Sequence, residues 1–326
     1  MIFLVNRSKN AYYNMAAEEF FLDRYDGDVF LLWQNQNTIV VGKNQNTLAE
    51  INPEYVKQAG ITVVRRLTGG GAMYQDPGNL NFTFITDGRA WFSDFSYFAA
   101  PVIAALQGLG VPAELSGRND ILVDGRKISG NAQTVHGSRI MHHGTLLFDS
   151  NLTVLAHALR PDPEKIAAKG IASVSSRVAN ISEFLEAPIT VDVLIDAIGA
   201  AVRARYPDTV VRDITPEEDA AITALAREKY STWEWNYGRS PQYTFQNRKR
   251  FPAGSVEVKL AVRRGVIEAA AIEGDFFGME DVGRITHALQ GVPHREDALR
   301  AALAPFDMQD YFMGIGAEEI LALMLP

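Results

Sequence analysis

The chain contains no cysteine. Disulfides and thiolate metal sites are therefore excluded, as is any enzyme that passes an acyl group through a thioester on its own cysteine. Long apolar runs are also missing: none approaches the roughly 18–20 residues that a membrane-spanning helix needs. The amino terminus, Met1-Ile2-Phe3-Leu4-Val5-Asn6-Arg7, has no basic stretch ahead of its short apolar run. It reads as a strand rather than a secretory leader, and a cytoplasmic location is expected, with no membrane partner. Positive charge is in deficit, with 31 Lys and Arg against 39 Asp and Glu and a net charge of −8. No nucleic-acid partner is expected, and any anion site must be a local cluster. There is no HExxH motif among the six histidines, so a zinc hydrolase is disfavoured.

What is present suits a globular protein with a sizeable core. The 326 residues are 47% apolar and 21% charged, enough for one large domain and a smaller one. Residues 11–25 suit an amphipathic helix with Tyr12, Met15, Ala16 and Phe20 on one side and Glu18 and Asp23 elsewhere. Short β-branched and aromatic runs follow at 29–33, 38–41, 61–66, 80–86, 120–123, 126–129 and 140–148. Leu80, Phe82 and Phe84 alternate with Asn79, Asn81 and Thr83, the period of a half-buried strand. Helical stretches near 94–109, 151–159, 190–205 and 215–229 separate clusters of strands, which predicts an α+β layer fold rather than a doubly wound parallel sheet. Residues 231–252 are aromatic, rich in turn formers and end in Arg248-Lys249-Arg250; 255–272 reads as two strands joined at Arg264-Gly265. A boundary is expected near 246–252, dividing the chain into 1–246 and a small domain, 253–326.

Two constellations carry chemistry. In the first, a strand delivers Arg65 and Arg66 into Leu67-Thr68-Gly69-Gly70-Gly71-Ala72-Met73-Tyr74. Three successive glycines let an anion approach backbone N–H groups, and arginines offer forked donors to oxyanions. The same residues also suit a solvated surface turn, and no Gly-Lys-Ser/Thr follows to make a P-loop. In the second, Asn119-Asp120-Ile121-Leu122-Val123 is followed by Asp124-Gly125, a hairpin turn, and by Arg126-Lys127-Ile128-Ser129-Gly130-Asn131. A regular hairpin sets Lys127 beside Ile121 and Asn119–Asp120 near Ser129–Gly130, with Lys127 and Ser129 on one face and Ile128 on the other. Lys127 there serves a carboxylate and a phosphate, or is simply an edge-strand lysine in solvent. Of the adjacent histidines His142 and His143, which face opposite ways, one is expected in a pocket and the other in packing.

These pieces, taken in order, resemble the lipoate–protein ligase A family. The resemblance rests on Arg65–Asp76 with Pro77-Gly78-Asn79, Gly117-Arg118-Asn119-Asp120, Arg126–Gly130 and His142–Leu147. It continues in Lys169-Gly170-Ile171, Ser173–Val178 and Trp233-Glu234-Trp235-Asn236. It covers roughly residues 1–250; 253–326 resembles the accessory domain of the two-domain members by position and pattern. It implies a biotin/lipoate ligase catalytic domain, of the class II aminoacyl-tRNA synthetase-like kind, with a small α+β, lid-like accessory domain at the C-terminal side. The implied activity uses ATP and Mg²⁺ to activate lipoate as lipoyl-AMP and transfers the lipoyl group to a lysine of a lipoyl domain, in 2-oxoacid dehydrogenase E2 subunits or the glycine cleavage H protein. The implied catalytic residue is Lys127. The nucleotide-binding set is Arg66, Gly71, Ala72, Met73, Tyr74, Asn119, Asp120 and Lys127, with Asp120 as a magnesium ligand. The lipoate-binding set is Arg66, Gly71, Gln75, Lys127, Gly130 and His143.

Two departures stand out: Gln75 replaces the histidine that better-known members carry before the Asp, and Thr68 replaces a serine. Both keep a hydrogen-bonding group, so a retuned pocket is expected. Octanoyl transfer and non-catalytic lipoate binding remain the rival functions.

Overall fold

The computed structural model describes residues 1–45, 47–116, 119–159, 178–237, 244–263 and 265–325. Residues 117–118, 169–171, 173–177, 238 and 264, used above, lie outside the described residues.

An eight-stranded sheet forms the centre. Its order is β11 (Val210–Val211), β1 (Ile2–Asn6), β2 (Val29–Trp33), β6 (Asn79–Asp87), β10 (Arg139–Leu147), β9 (Arg126–His136), β8 (Asp120–Val123) and β7 (Glu114–Ser116). β1 runs parallel to β11 and β2, and the other neighbours are antiparallel. The helices Phe95–Gly108 and Val191–Arg205 cover one face, burying Phe82, Phe84, Ile121 and Ile128 against Phe98, Val102 and Ile198. Helix α1 (Ala11–Arg24) and the helix Pro216–Leu225 cover the other, where Met15 and Phe21 meet Leu31, Trp33 and Ile85. Each of these helices begins at a side-chain cap: Asn10, Asp94, Thr190 and Thr215 accept N–H bonds from the first turn, satisfying donors that have no helical partner. A second sheet, β4 (Thr62–Arg65), β3 (Thr38–Val41) and β5 (Met73–Gln75), packs over its own small core with Ile39, Val63 and Tyr74.

Three sequence expectations change. First, β6 is buried on both faces, not one, because α1 lies over its polar side. Glu18, placed off the apolar side of α1, is buried there and accepts from Thr83 Oγ1 at 2.6 Å, while Trp33 Nε1 donates to the same hydroxyl at 2.9 Å. Satisfied partners make that burial tolerable. Second, the β8–β9 hairpin is not regular. Asp120 pairs with Gly130 and Ile121 with Ser129, but Leu122 pairs with Lys127, leaving Ile128 as a bulge. By register, Lys127 therefore shares the face of Asp120 and Gly130, and Ser129 shares that of buried Ile121. The extra residue re-aims the lysine, a usual effect of bulges. Third, the boundary does not fall at 246–252. β12 (Phe245–Phe251) pairs along its whole length with β13 (Gly254–Arg263), which pairs with β14 (Val266–Gly274).

That third sheet and the helices after it enclose a separate core containing Val258, Leu260, Phe276, Leu299, Phe312 and Ile320. This unit touches the rest at Lys43–Asp281 (3.2 Å), at Gly274 N to Asn44 O (2.6 Å) and over the glycine loop. Among the described residues no helix is long and apolar enough to cross a membrane.

Candidate active site

A cavity of about 330 Å³ lies over the polar face of the central sheet, roofed by the glycine loop and the small unit. Its floor is a row of residues crossing five strands. Asp120 pairs with Gly130, Gly130 N–H donates to Thr145 Oγ1 (3.3 Å), Thr145 pairs with Asn81, and Asn81 pairs with Trp33. All five line the cavity. One end of the row is charged and the other is aromatic.

Lys127 stands at the charged end, its Nζ 2.7 Å from Asp120 Oδ1, with the side chains 34% and 32% exposed. The pairing orients the ammonium into the cavity and keeps it reachable from solvent. Asn119 braces the hairpin from behind: its Nδ2 donates to Asn131 O (2.7 Å), and Asn131 returns its backbone N–H to Asn119 O (2.9 Å). Arg250, from β12, and Asp275 reach the same cavity from the small unit.

The two arginines face opposite ways, as strand alternation requires. Arg65 turns from the cavity into the crevice between β4 and the helix Trp233–Asn236. Its guanidinium donates to the carbonyls of Gly42, Lys43, Gln45, Trp235 and Asn236 and to Thr47 Oγ1. The Trp-Glu-Trp-Asn motif is the other half of this knot, since Trp235 Nε1 donates to Arg65 O and Asn236 Oδ1 accepts from Arg65 N, both at 2.9 Å. Arg66 lines the cavity but is a brace for the glycine loop more than an open fork. Nε donates to Thr68 Oγ1 (2.8 Å) and Nη2 to Gly69 O (2.6 Å) and Gly71 O (2.9 Å). Burial pushes its pKa down to about 10, opposed by the charge of Glu18.

Two loop glycines are needed for close approach. A side chain at Gly69 would strike the carbonyl of Phe276, and Gly70, at φ +89°, lies against the Phe277 ring and donates its N–H to Phe276 O (3.4 Å). The small unit thus sits directly on the loop.

His143 lines the cavity, held between Glu18 Oε1 (2.9 Å from Nδ1) and Thr68 Oγ1 (2.9 Å from Nε2). Thr68 keeps the hydroxyl that joins Arg66 to His143. His142 packs instead, 5.0 Å from the Phe98 ring and bonded to Gln133 and Asn131. Burial holds its pKa well below the ordinary value, so it is neutral. Gln75 is buried on the cavity wall and bonds Asn35 and Asn81.

Of the residues picked from sequence, Arg66, Gly71, Ala72, Met73, Gln75, Asn119, Asp120, Lys127, Gly130 and His143 line one cavity. Tyr74 does not. On β5 its side chain points away from Met73 and Gln75 into the second sheet's core and donates to Asn37 Oδ1 at 2.9 Å. Glu18, Trp33, Asn81, Thr145, Arg250 and Phe277 went unassigned. The alternation of β6 marked Asn81 as polar-facing, and a carboxylate three residues after Met15 was the only hint of Glu18.

Residues 10–203 match the lipoyl protein ligase A/B catalytic domain, and 240–324 match the bacterial lipoate protein ligase C-terminus. The chain is 44% identical to the lipoate-protein ligase LplJ of Bacillus subtilis, over 99% of this chain and all of the relative. Among solved structures it is similar to P. falciparum LipL1 in complex with lipoate (TM-score 0.79, 25% identity, 94% of each chain). It is also similar to a lipoate-protein ligase A bound with ATP (TM-score 0.64, 26% identity, 73% of this chain and 98% of that one). The chain belongs to the lipoate–protein ligase family, in its two-domain form.

Proposed function

We propose that the protein uses ATP to activate lipoate as lipoyl-AMP at this cavity and passes the lipoyl group to a lysine of a lipoyl domain, in 2-oxoacid dehydrogenase E2 subunits or the glycine cleavage H protein. The observation that supports the reading is the single row from Lys127 and Asp120 to Trp33, which would suit a charged head at one end and an apolar tail at the other. The lipoate carboxylate attacks the α-phosphorus of ATP, an O–P bond forms, and pyrophosphate leaves with its electron pair. Lys127 offsets the charge that collects on the phosphoryl oxygens. The acceptor lysine's amine then attacks the carbonyl of the mixed anhydride and AMP departs, with Lys127 polarising that carbonyl. No protein nucleophile is required, in keeping with a chain that has no cysteine.

Asp120 supplies one hard oxygen at the phosphate end. Mg²⁺ of such sites ordinarily arrives with the nucleotide, held by one or two carboxylates and the substrate phosphates. Asp120 would hold the ion, which would supply positive charge to offset that of the phosphates. On this reading the reaction runs in the cytoplasm, where ATP is available.

Pyrophosphate release from ATP tests the activation step. Release that requires lipoate is expected. ATP-independent acyl transfer, or lipoate binding with no release, would replace the ligase reading by one of its rivals.

A further inference from the structure

Gln75 ends a chain of amides that starts at partly buried Asn6 and runs through buried Asn14 and Asn35. Asn6 Nδ2 donates to Asn14 Oδ1, Asn14 Nδ2 to Asn35 Oδ1, and Asn35 Nδ2 to Gln75 Oε1, each at 2.8 Å. Asn81 Nδ2 gives Gln75 Oε1 a second donor at 3.3 Å. Two donors on that oxygen fix the carboxamide in one orientation. Its nitrogen then faces the other way, toward Asn81 Oδ1 at 2.8 Å and Met73 Sδ at 3.8 Å. One N–H is spent on an amide oxygen. The other meets a thioether sulfur, and Met73 itself lines the cavity.

The position along the row matters. Asn81 on β6 lies two strands from Gly130 on β9, and strands are about 4.8 Å apart, so the amide pair lies roughly 10 Å from the lysine end. That is the reach of an extended acyl chain whose carboxylate sits at Lys127. The Gln75 amide therefore meets the far end of the tail, not its head.

We propose that Gln75 selects a tail ending in a sulfur ring over a saturated alkyl tail of the same length: the N–H now resting on Met73 is the donor for a dithiolane sulfur. The proposal rests on the ligase reading above and names the feature of the substrate that this wall reads. Sulfur is a weak, polarisable acceptor, and Met73, unbranched and flexible, already occupies that role and can swing aside. A dithiolane replaces one sulfur acceptor by another. An octanoyl tail offers none, so displacing Met73 strands a buried N–H, and leaving it in place reduces the room for the tail. A pocket built around a donor rejects the analogue that lacks its acceptor.

The test compares lipoate with octanoate as kcat/KM in ATP-dependent acylation of an apo lipoyl domain, and as Kd by calorimetry on the enzyme alone. Wild type, Gln75→Leu and Gln75→Met are measured; the last keeps chain length without a donor, should the leucine variant fold poorly. Wild type is expected to prefer lipoate, and the lipoate-to-octanoate ratio is expected to fall about tenfold in both variants, the weight of one buried hydrogen bond. A ratio that stays constant while both substrates weaken together would reduce Gln75 to a link in the amide chain and overturn the proposal. So would a wild-type ratio near one. The calorimetric ratio decides between these without turnover, so an enzyme that binds but does not ligate refutes the ligase reading separately.

Discussion

At the scale of single residues, neighbouring arginines do different work. Arg66→Ala removes the brace of Thr68, Gly69 and Gly71 inside the cavity, and activity is expected to fall by two orders of magnitude or more, in line with the loss of a preorganised site. Arg65→Ala removes a buried cation that satisfies five carbonyls and a hydroxyl. It is expected to cost about 3–5 kcal/mol of stability, as for other buried polar networks. Urea midpoints and kcat/KM on both variants separate the two; an Arg65 variant as stable as wild type contradicts the assignment. That only one arginine enters the cavity was legible from alternation, and the family resemblance selected Arg66. What the other one does was not legible, because its partners Thr47, Trp235 and Asn236 are distant in sequence and meet it only through the fold. Tyr74 and Gln75 show the same limit: motif position puts both at the site, but the strand lets only one side chain reach it.

At the scale of elements, the β8–β9 hairpin decides where Lys127 points. The Asp124-Gly125 turn could be read directly, with φ of 49° and 73° as such a turn requires. The bulge at Ile128 could not, because no local residue announces it; the buried positions of Ile121 and Ile128 on the core side impose it. Gly130, buried on the cavity floor, is where this matters. A Cβ there would lie 2.8 Å from Lys127 Nζ and 3.1 Å from Cε, the free end of a flexible chain. Gly130→Ala is therefore expected to leave the melting temperature within about 2 °C of wild type, as for a change under 0.5 kcal/mol. By pushing the ammonium off its place it should lower activity at least tenfold, since catalytic groups tolerate little displacement. Unchanged activity would mean that the lysine's position on the strand is not what catalysis uses. The polar side of β6 was misjudged for a related reason: alternation distinguishes two faces, but cannot tell water from a polar cavity under a helix.

At the scale of the whole molecule, the small unit lies on the glycine loop and contributes Arg250, Asp275 and Phe277 to the cavity. Its existence was readable in the strand pair 255–272, but its start was not. The aromatic, turn-rich composition of 231–252 and its basic run suggested a boundary near 246–252, and only pairing with β13 makes that stretch a strand. A chain ending at Tyr237 removes the whole unit without cutting its sheet. It is expected to keep transfer from pre-made lipoyl-AMP and lose most ATP-dependent activation, because an open cavity admits water to the charged step. Undiminished pyrophosphate release by the shortened chain would show that the unit is not a lid.

The measurement that bears most directly on the whole scheme is the mass of an apo lipoyl domain after incubation with the enzyme, ATP and lipoate. One lipoyl group added per domain is expected, requiring all three components and abolished in Lys127→Ala, with the variant's fold intact. An unmodified domain with the wild-type enzyme, or modification at the wild-type rate with Lys127→Ala, would contradict the assignment of Lys127 as the centre of the site.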